Sequence, residues 1–230
     1  MRRVECEWGI DGAAHLAWSC GVIVVIDVLS FSTAVDVATN RGALVFPYGQ
    51  RDEALDAYAA ANGAELAGRR GSGAPYTLSP SDLTAIAAGT RLMLPSPNGS
   101  TIARAVAAPV VFAGCLRNAA AVAAAAMACA GDIGIVPAGE RWPGGTLRPA
   151  IEDLLGAGAI IGGLDLALSA EAAAARAAFA ALRDRIPAVL RGALSGRELI
   201  DAGYAQDVEL AAALDVSDAA PRLAEGAFRA

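Results

Sequence analysis

Five consecutive β-branched residues, Val22-Ile23-Val24-Val25-Ile26, run directly into Asp27. Such side chains crowd a helix and suit a strand. A strand that is apolar at every position is buried on both faces, so something must cover each side of its sheet. Asp27 then stands at the end of a buried strand. A carboxylate is costly to bury alone and needs a partner, a metal ion or water. Ser30, Ser32 and Thr33 follow at once. In open α/β sheets ligands bind outside the carboxyl ends of the strands, which makes Asp27 the first candidate for chemistry.

Strand and helix patterns alternate along the rest of the chain. Val4–Glu7 reads as a short edge strand and Trp8–Ser19 as an irregular connection. Further strands are expected at Ala43–Pro47, Arg91–Leu94, Val110–Ala113 and Ile133–Val136. Helices are expected from Ser32 or Thr33 to Asn40, and over Arg51–Ala61, Ser100–Ala107, Asn118–Ala130 and about Ala150–Ala159. Thr33 and Asp36 have the spacing of a capping box. Gly68–Pro75 and Gly139–Pro149 are polar loops, a short helix is expected around Ser81–Ala88, and the remainder is mostly helical. This alternation predicts an α/β fold: a mostly parallel sheet, helices on both faces, a helical C-terminal part and a single domain over residues 1–230.

Composition removes several classes of function. A net charge of −6 speaks against a nucleic-acid binder. No apolar run reaches the ~18 residues of a membrane span. Arg2 and Arg3 are followed by Glu5, Glu7 and Asp11 rather than by an apolar run, so no signal peptide is expected and the reading is cytoplasmic. The chain has no Lys, which excludes a Walker A loop and Schiff-base catalysis. Cys6, Cys20, Cys115 and Cys129 lack C-x-x-C spacing and read as buried free thiols. The single His15 lies outside the polar clusters, leaving carboxylates, hydroxyls, Asn and Arg as reactive groups.

Three predicted strand ends gather those groups. The first is Asp27 with Ser30, Ser32 and Thr33; the second is Pro95-Ser96-Pro97-Asn98-Gly99-Ser100; the third runs from Gly139-Glu140-Arg141 to Glu152-Asp153. If the strands are parallel neighbours, all three ends open onto one edge of the sheet. Asn98-Gly99-Ser100 at a helix start can present N–H groups to an anion, or can simply be a turn with its cap. Glu152 and Asp153 can serve the helix dipole, or one can turn inward beside Asp27 to hold Mg²⁺, which takes a few carboxylates and several waters.

Taken together, these segments resemble the 2-phosphosulfolactate phosphatase family. The resemblance runs through Val25–Leu29 with Ser32-Thr33, Asn40–Ala43, Leu78-Ser79-Pro80, Pro97–Ser100, Asn118–Ala123, Ala138–Glu140, Glu152–Gly158 and Gly203–Val208. It implies Mg²⁺-dependent hydrolysis of 2-phospho-3-sulfolactate to 3-sulfolactate and phosphate. Asp27, Glu152 and Asp153 are then the candidate catalytic residues, and with Glu140 the candidate metal ligands. Ser32, Thr33, Asn98, Gly99, Ser100 and Asn118 are candidates for substrate binding, as are Arg69, Arg70 and Arg141 at an arginine-rich rim. Whether Asp27 is a nucleophile or a ligand is left open. The implied partner is a small anionic phosphorylated substrate, with neither nucleic acid nor membrane; a homo-oligomer is left open.

Three positions depart from the family pattern. Ser30 stands where Arg usually follows Asp-Val-Leu, Arg69 where the loop usually carries Glu, and Leu78 where Asn is expected before Ser-Pro. They leave two alternatives standing: a divergent phosphatase for another small phosphorylated acid, and a non-catalytic relative that binds an anion.

Overall fold

The computed structural model describes residues 2–230. Its first half contains β1 (Arg3–Cys6), α1 (Gly9–Ala17), β2 (Cys20–Ile26), α2 (Phe31–Asn40), β3 (Leu44–Tyr48), α3 (Leu55–Ala61), β4 (Glu65–Leu66), β5 (Arg91–Pro95) and α4 (Gly99–Ala105). Then come β6 (Val110–Gly114), α5 (Ala119–Met127), β7 (Asp132–Pro137), β8 (Glu140–Arg141), β9 (Leu147–Arg148) and α6 (Ile151–Gly162). The chain ends with β10 (Ala167–Leu168), α7 (Ala170–Leu182), α8 (Ile186–Gly192), α9 (Leu194–Asp201), α10 (Ala205–Ala211), β11 (Arg222–Ala224) and β12 (Ala227–Arg229).

The β-branched run does what its composition demands. Side chains alternate across a strand, so Val22, Val24 and Ile26 enter one core, with Ile133, Ile135, Leu155 and Ile160. Ile23 and Val25 enter the other, with Phe31, Val35, Val45, Leu92 and Leu94. Helices cover both faces: α5, α6 and α7 supply the first core, and α1, α2 and α4 the second.

Ten strands form one sheet in the order β10-β1-β7-β2-β6-β11-β12-β3-β5-β4. Six of the nine pairings are parallel, so the sheet is mostly parallel as expected. The other three are consecutive: β6 with β11, β11 with β12, and β12 with β3. Three reversals in a row make β3, β5 and β4 run opposite to β2. The carboxyl end of β5 therefore does not share an edge with β2 and β7 along the ladder.

Five strand spacings separate β2 from β5, on the order of 24 Å in a flat sheet. Their apolar residues nonetheless meet around α2, so the sheet curls and its two parallel blocks face each other. This closure brings the β5–α4 turn to the end of β2.

Several local expectations differ from the structure: α2 begins at Phe31 without a side-chain cap, so Thr33 and Asp36 form no capping box, and Gly139–Pro149 holds the β8–β9 hairpin. Trp8–Ser19 contains α1, whose Gly9, Ala13 and Leu16 are buried with helical spacing, while Asp11 and His15 obscure the pattern. β1 is an interior strand, paired on both sides by β10 and β7. The four thiols are free, with Cys6, Cys20 and Cys115 buried and Cys129 half-buried. Among the described residues no helix is long and apolar enough to cross a membrane.

Candidate active site

Asp27 is buried where the two blocks meet. Its Oδ1 accepts the Phe31 N–H at 3.1 Å and its Oδ2 the Gly99 N–H at 2.8 Å. Ser96 Oγ lies 3.5 Å from Oδ2. Burial pushes the Asp27 carboxyl up, while these N–H groups and the nearby Arg70 oppose the rise. Ser32 and Thr33 close the strand-to-helix turn. The Ser32 hydroxyl donates to the Val25 carbonyl and accepts the Asp27 N–H, and the Thr33 hydroxyl donates to the Val28 carbonyl.

Asp153 reaches the same place from the first turn of α6. Its Oδ1 accepts the Val28 N–H at 2.7 Å and its Oδ2 the Gly139 N–H at 2.8 Å. It thus ties the end of β2 to the end of β7. Burial, Asp27 and Glu152 push its carboxyl well above the ordinary range.

Glu152 is buried beside it and also raised, by burial and then by Asp27, with Ser195 and Arg148 opposing. Glu140 accepts Asn98 Nδ2 at 2.8 Å. Burial and the charges of Asp27 and Glu152 raise its carboxyl to about 7.

Arginines border this acidic group. Arg148 is buried, lies 3.2 Å from Glu198 and 3.4 Å from Ser195, and packs over Trp142. Arg70 donates to Ser30 Oγ at 2.7 Å and lies 3.4 Å from Asp207. Asp207, on α10, accepts the Ser79 hydroxyl at 2.6 Å and the Ser81 hydroxyl at 2.7 Å.

Two cavities flank the Pro95–Asn98 turn. One, of about 280 Å³, is lined by Trp8, Asn98, Glu140, Arg141 and Leu147 among others. The other, of about 430 Å³, is lined by Arg51, Arg69, Arg70, Leu78, Pro95 and Pro97 among others.

The remaining candidates take local roles. The Ser100 hydroxyl donates to the Leu94 carbonyl. Asn118 accepts the Cys115 N–H and donates to the Ala113 carbonyl, closing the end of β6. Arg141 is exposed and donates to the Gly145 carbonyl across its hairpin.

The sequence pattern of the 2-phosphosulpholactate phosphatase family matches residues 12–226. The chain belongs to this family. A probable 2-phosphosulfolactate phosphatase of Carboxydothermus hydrogenoformans is 32% identical over 207 residues, covering 86% of this chain and 84% of that protein. The 2-phosphosulfolactate phosphatase of Methanothermobacter thermautotrophicus is 30% identical over 210 residues, covering 90% and 88%.

For a member of the 2-phosphosulfolactate phosphatase family, the donor set matters as much as the fold. Asp27, Glu140, Glu152 and Asp153 all lie above their ordinary pKa range, and neighbouring carboxylates help to raise the last three. Burial is the main cause in each, and repulsion between the carboxylates adds to it in those three. Among the described residues, however, no three His, Cys, Asp or Glu side chains form a ready metal cage. The arrangement fits a hard cation held by one or two carboxylates and otherwise by water and substrate oxygens. Both Asp153 oxygens already accept backbone N–H groups, so the carboxylates with freer oxygens are Glu140 and Glu152.

Sequence reasoning passed over Arg148 and Ser195, and it gave no site role to Asp207, which lies in the Gly203–Val208 stretch of the resemblance. Arg148 lies four residues before Glu152, in a loop read only as polar. Ser195 and Asp207 come from C-terminal helices whose packing on α8 and on the Pro80–Leu83 turn has no local signature.

Proposed function

We propose that this chain is a phosphoric monoester hydrolase that converts 2-phospho-3-sulfolactate and water into 3-sulfolactate and phosphate. Family membership supports the reaction. The observation that supports it at this site is the group of buried carboxyls around Asp27, with one neighbouring cavity lined by Asn98 and Glu140 and another by Arg51, Arg69 and Arg70.

Asp27 is held in one orientation by two N–H groups from different blocks of the sheet. Such preorganisation contributes to catalysis because the carboxylate need not be ordered during the reaction. Asn98 fixes Glu140 at the mouth of the smaller cavity. Glu140 and Glu152, with Asp27 beside them, are the residues that would hold Mg²⁺. When bound, the ion would offset charge on the phosphoryl oxygens. Hydrolysis breaks the bond between phosphorus and the C2 oxygen; water supplies the new phosphate oxygen, one of its protons passes to the departing alkoxide and the other stays on the phosphate.

Ser30 favours a second reading, turnover of another small phosphorylated acid, because it is bound by Arg70 at the edge of the larger cavity. One assay separates the two: phosphate release from 2-phospho-3-sulfolactate, 2-phospholactate and phosphoglycolate, with and without Mg²⁺. The first substrate is expected to turn over fastest, only with Mg²⁺, and Asp27→Asn is expected to abolish the release. Full turnover by Asp27→Asn, or no release from the first substrate, refutes the reading.

A further inference from the structure

The larger cavity has a composition that the acidic group beside it lacks. Arg51, Arg69 and Arg70 all line its volume of about 430 Å³, and no Asp or Glu does so. Arg51 follows β3, Arg69 and Arg70 sit in the Gly-rich loop after β4, and Pro95 and Pro97 form the wall nearest Gly99. Like charges brought together from separate loops repel unless an anion joins them.

Within the protein that anion is scarce. Arg51 donates to the Ala67 carbonyl, and no ion pair involves Arg51 or Arg69 among the described residues. Burial and the charge of Arg69 both press Arg51 toward losing its proton. Arg70 is 3.4 Å from Asp207, but Asp207 already accepts three donors from Ser79 and Ser81. The Arg70 Nε is buried with no partner. A guanidinium presents several donors in a fixed fork, suited to tetrahedral and planar oxyanions.

The cavity is also joined to the reacting end. Arg70 bonds Ser30, and the next residue, Phe31, gives its N–H to Asp27. This relay links the arginine cavity to Asp27, which itself lines neither cavity. A phosphoryl group seated among the arginines would lie on the side away from Glu140, whose cavity opens across the Pro95–Asn98 turn.

We propose that the Arg51–Arg69–Arg70 cavity binds the sulfonate of the substrate and sets the enzyme's preference for sulfonated over unsulfonated phospho-acids. The proposal rests on the phosphatase reading for its substrate and assigns Arg51 a specificity role. A sulfonate stays ionised across the working pH range and offers three acceptor oxygens to three guanidinium groups.

The test compares 2-phospho-3-sulfolactate with 2-phospholactate, in which a hydrogen replaces the sulfonate, using the native protein, Arg51→Gln and Arg69→Gln. The ratio of kcat/KM for the two substrates is expected to fall at least tenfold in each variant, mainly through KM for the sulfonated one. A ratio that stays at the native value, or an equal loss on both substrates, overturns the assignment. Arg69→Gln guards against misfolding, since Arg69 makes no side-chain hydrogen bond to the rest of the described chain. Calorimetric titration with 3-sulfolactate reads the cavity without turnover. Binding to the native protein that weakens tenfold or more in both variants supports the proposal even where no phosphate is released. Unchanged binding in the variants, or no binding to the native protein, refutes it. Failure of turnover alone rejects the reaction and leaves the titration to decide the cavity.

Discussion

The Gly99 N–H donates to Asp27 Oδ2 at 2.8 Å. This bond joins the two oppositely directed blocks of the sheet at the candidate active site. The Asn98-Gly99-Ser100 turn does hold an anion, and that anion is the chain's own carboxylate. A turn engaged in this way positions Asp27 instead of offering the Gly99 N–H to a phosphate.

Gly99 cannot carry a side chain here. A Cβ would lie 2.3 Å from Phe31 Cδ1 and 2.8 Å from Asp27 Oδ2. Gly99→Ala must push Asp27 and α2 aside, at a cost of about 1–3 kcal/mol of stability. Displacement of a catalytic group by about 1 Å can cost roughly 100-fold in rate. Phosphate release should fall by about that factor, with thermal unfolding only modestly lowered. Native turnover in Gly99→Ala would show that Asp27 needs no such positioning.

Asp153 bridges two strand ends through backbone donors alone. Asp153→Ala leaves the Val28 and Gly139 N–H groups buried without acceptors. Each orphaned donor costs about 1–3 kcal/mol. Relief of repulsion with Asp27 and Glu152 offsets part of this, leaving an expected loss of about 2 kcal/mol by urea unfolding. No loss of stability would remove the bracing role.

How much of this was legible in the sequence depended on range. Val22–Ile26 announced a doubly buried strand because burial on both faces is written in five adjacent residues. Asp27 and Glu140 stand out because polar residues after apolar strands are conspicuous, and Glu152 and Asp153 because two acids open an apolar helix. The reversal of β3, β5 and β4 was not visible, because it depends on β11 and β12 inserting between β6 and β3 from the far end of the chain. The roles of Arg148 and Asp207 were missed for a related reason: they lie in the partners that folding brings to these residues.

Asp207 is fully buried and gathers Ser79, Ser81 and Arg70 onto one carboxylate. Asp207→Ala leaves Arg70 without its acidic partner and three donors without an acceptor. Breaking such a buried pair costs about 3–5 kcal/mol. The loop carrying Arg69 and Arg70 should loosen with it, read as faster amide hydrogen exchange over residues 68–81. Exchange unchanged from the native protein would mean that the loop is held by other contacts.

Glu140 gives the site a measurable pH dependence. Its carboxyl is raised from 4.5 to about 7 by burial, Asp27 and Glu152. Between those values the unfolded chain releases this proton while the folded protein keeps it. Folding stability contributed by Glu140 is therefore complete below pH 4.5 and declines as pH rises toward 7. The loss is at most about 3–4 kcal/mol, since each pKa unit corresponds to about 1.4 kcal/mol. Urea unfolding without divalent cation should show this decline, and Glu140→Gln should remove it. A cation held by Glu140 binds the deprotonated form, so millimolar Mg²⁺ should restore stability at neutral pH in the native protein and do less in Glu140→Gln. Equal stabilisation of both proteins by Mg²⁺ would exclude Glu140 as a ligand and leave Glu152 as the carboxylate to test.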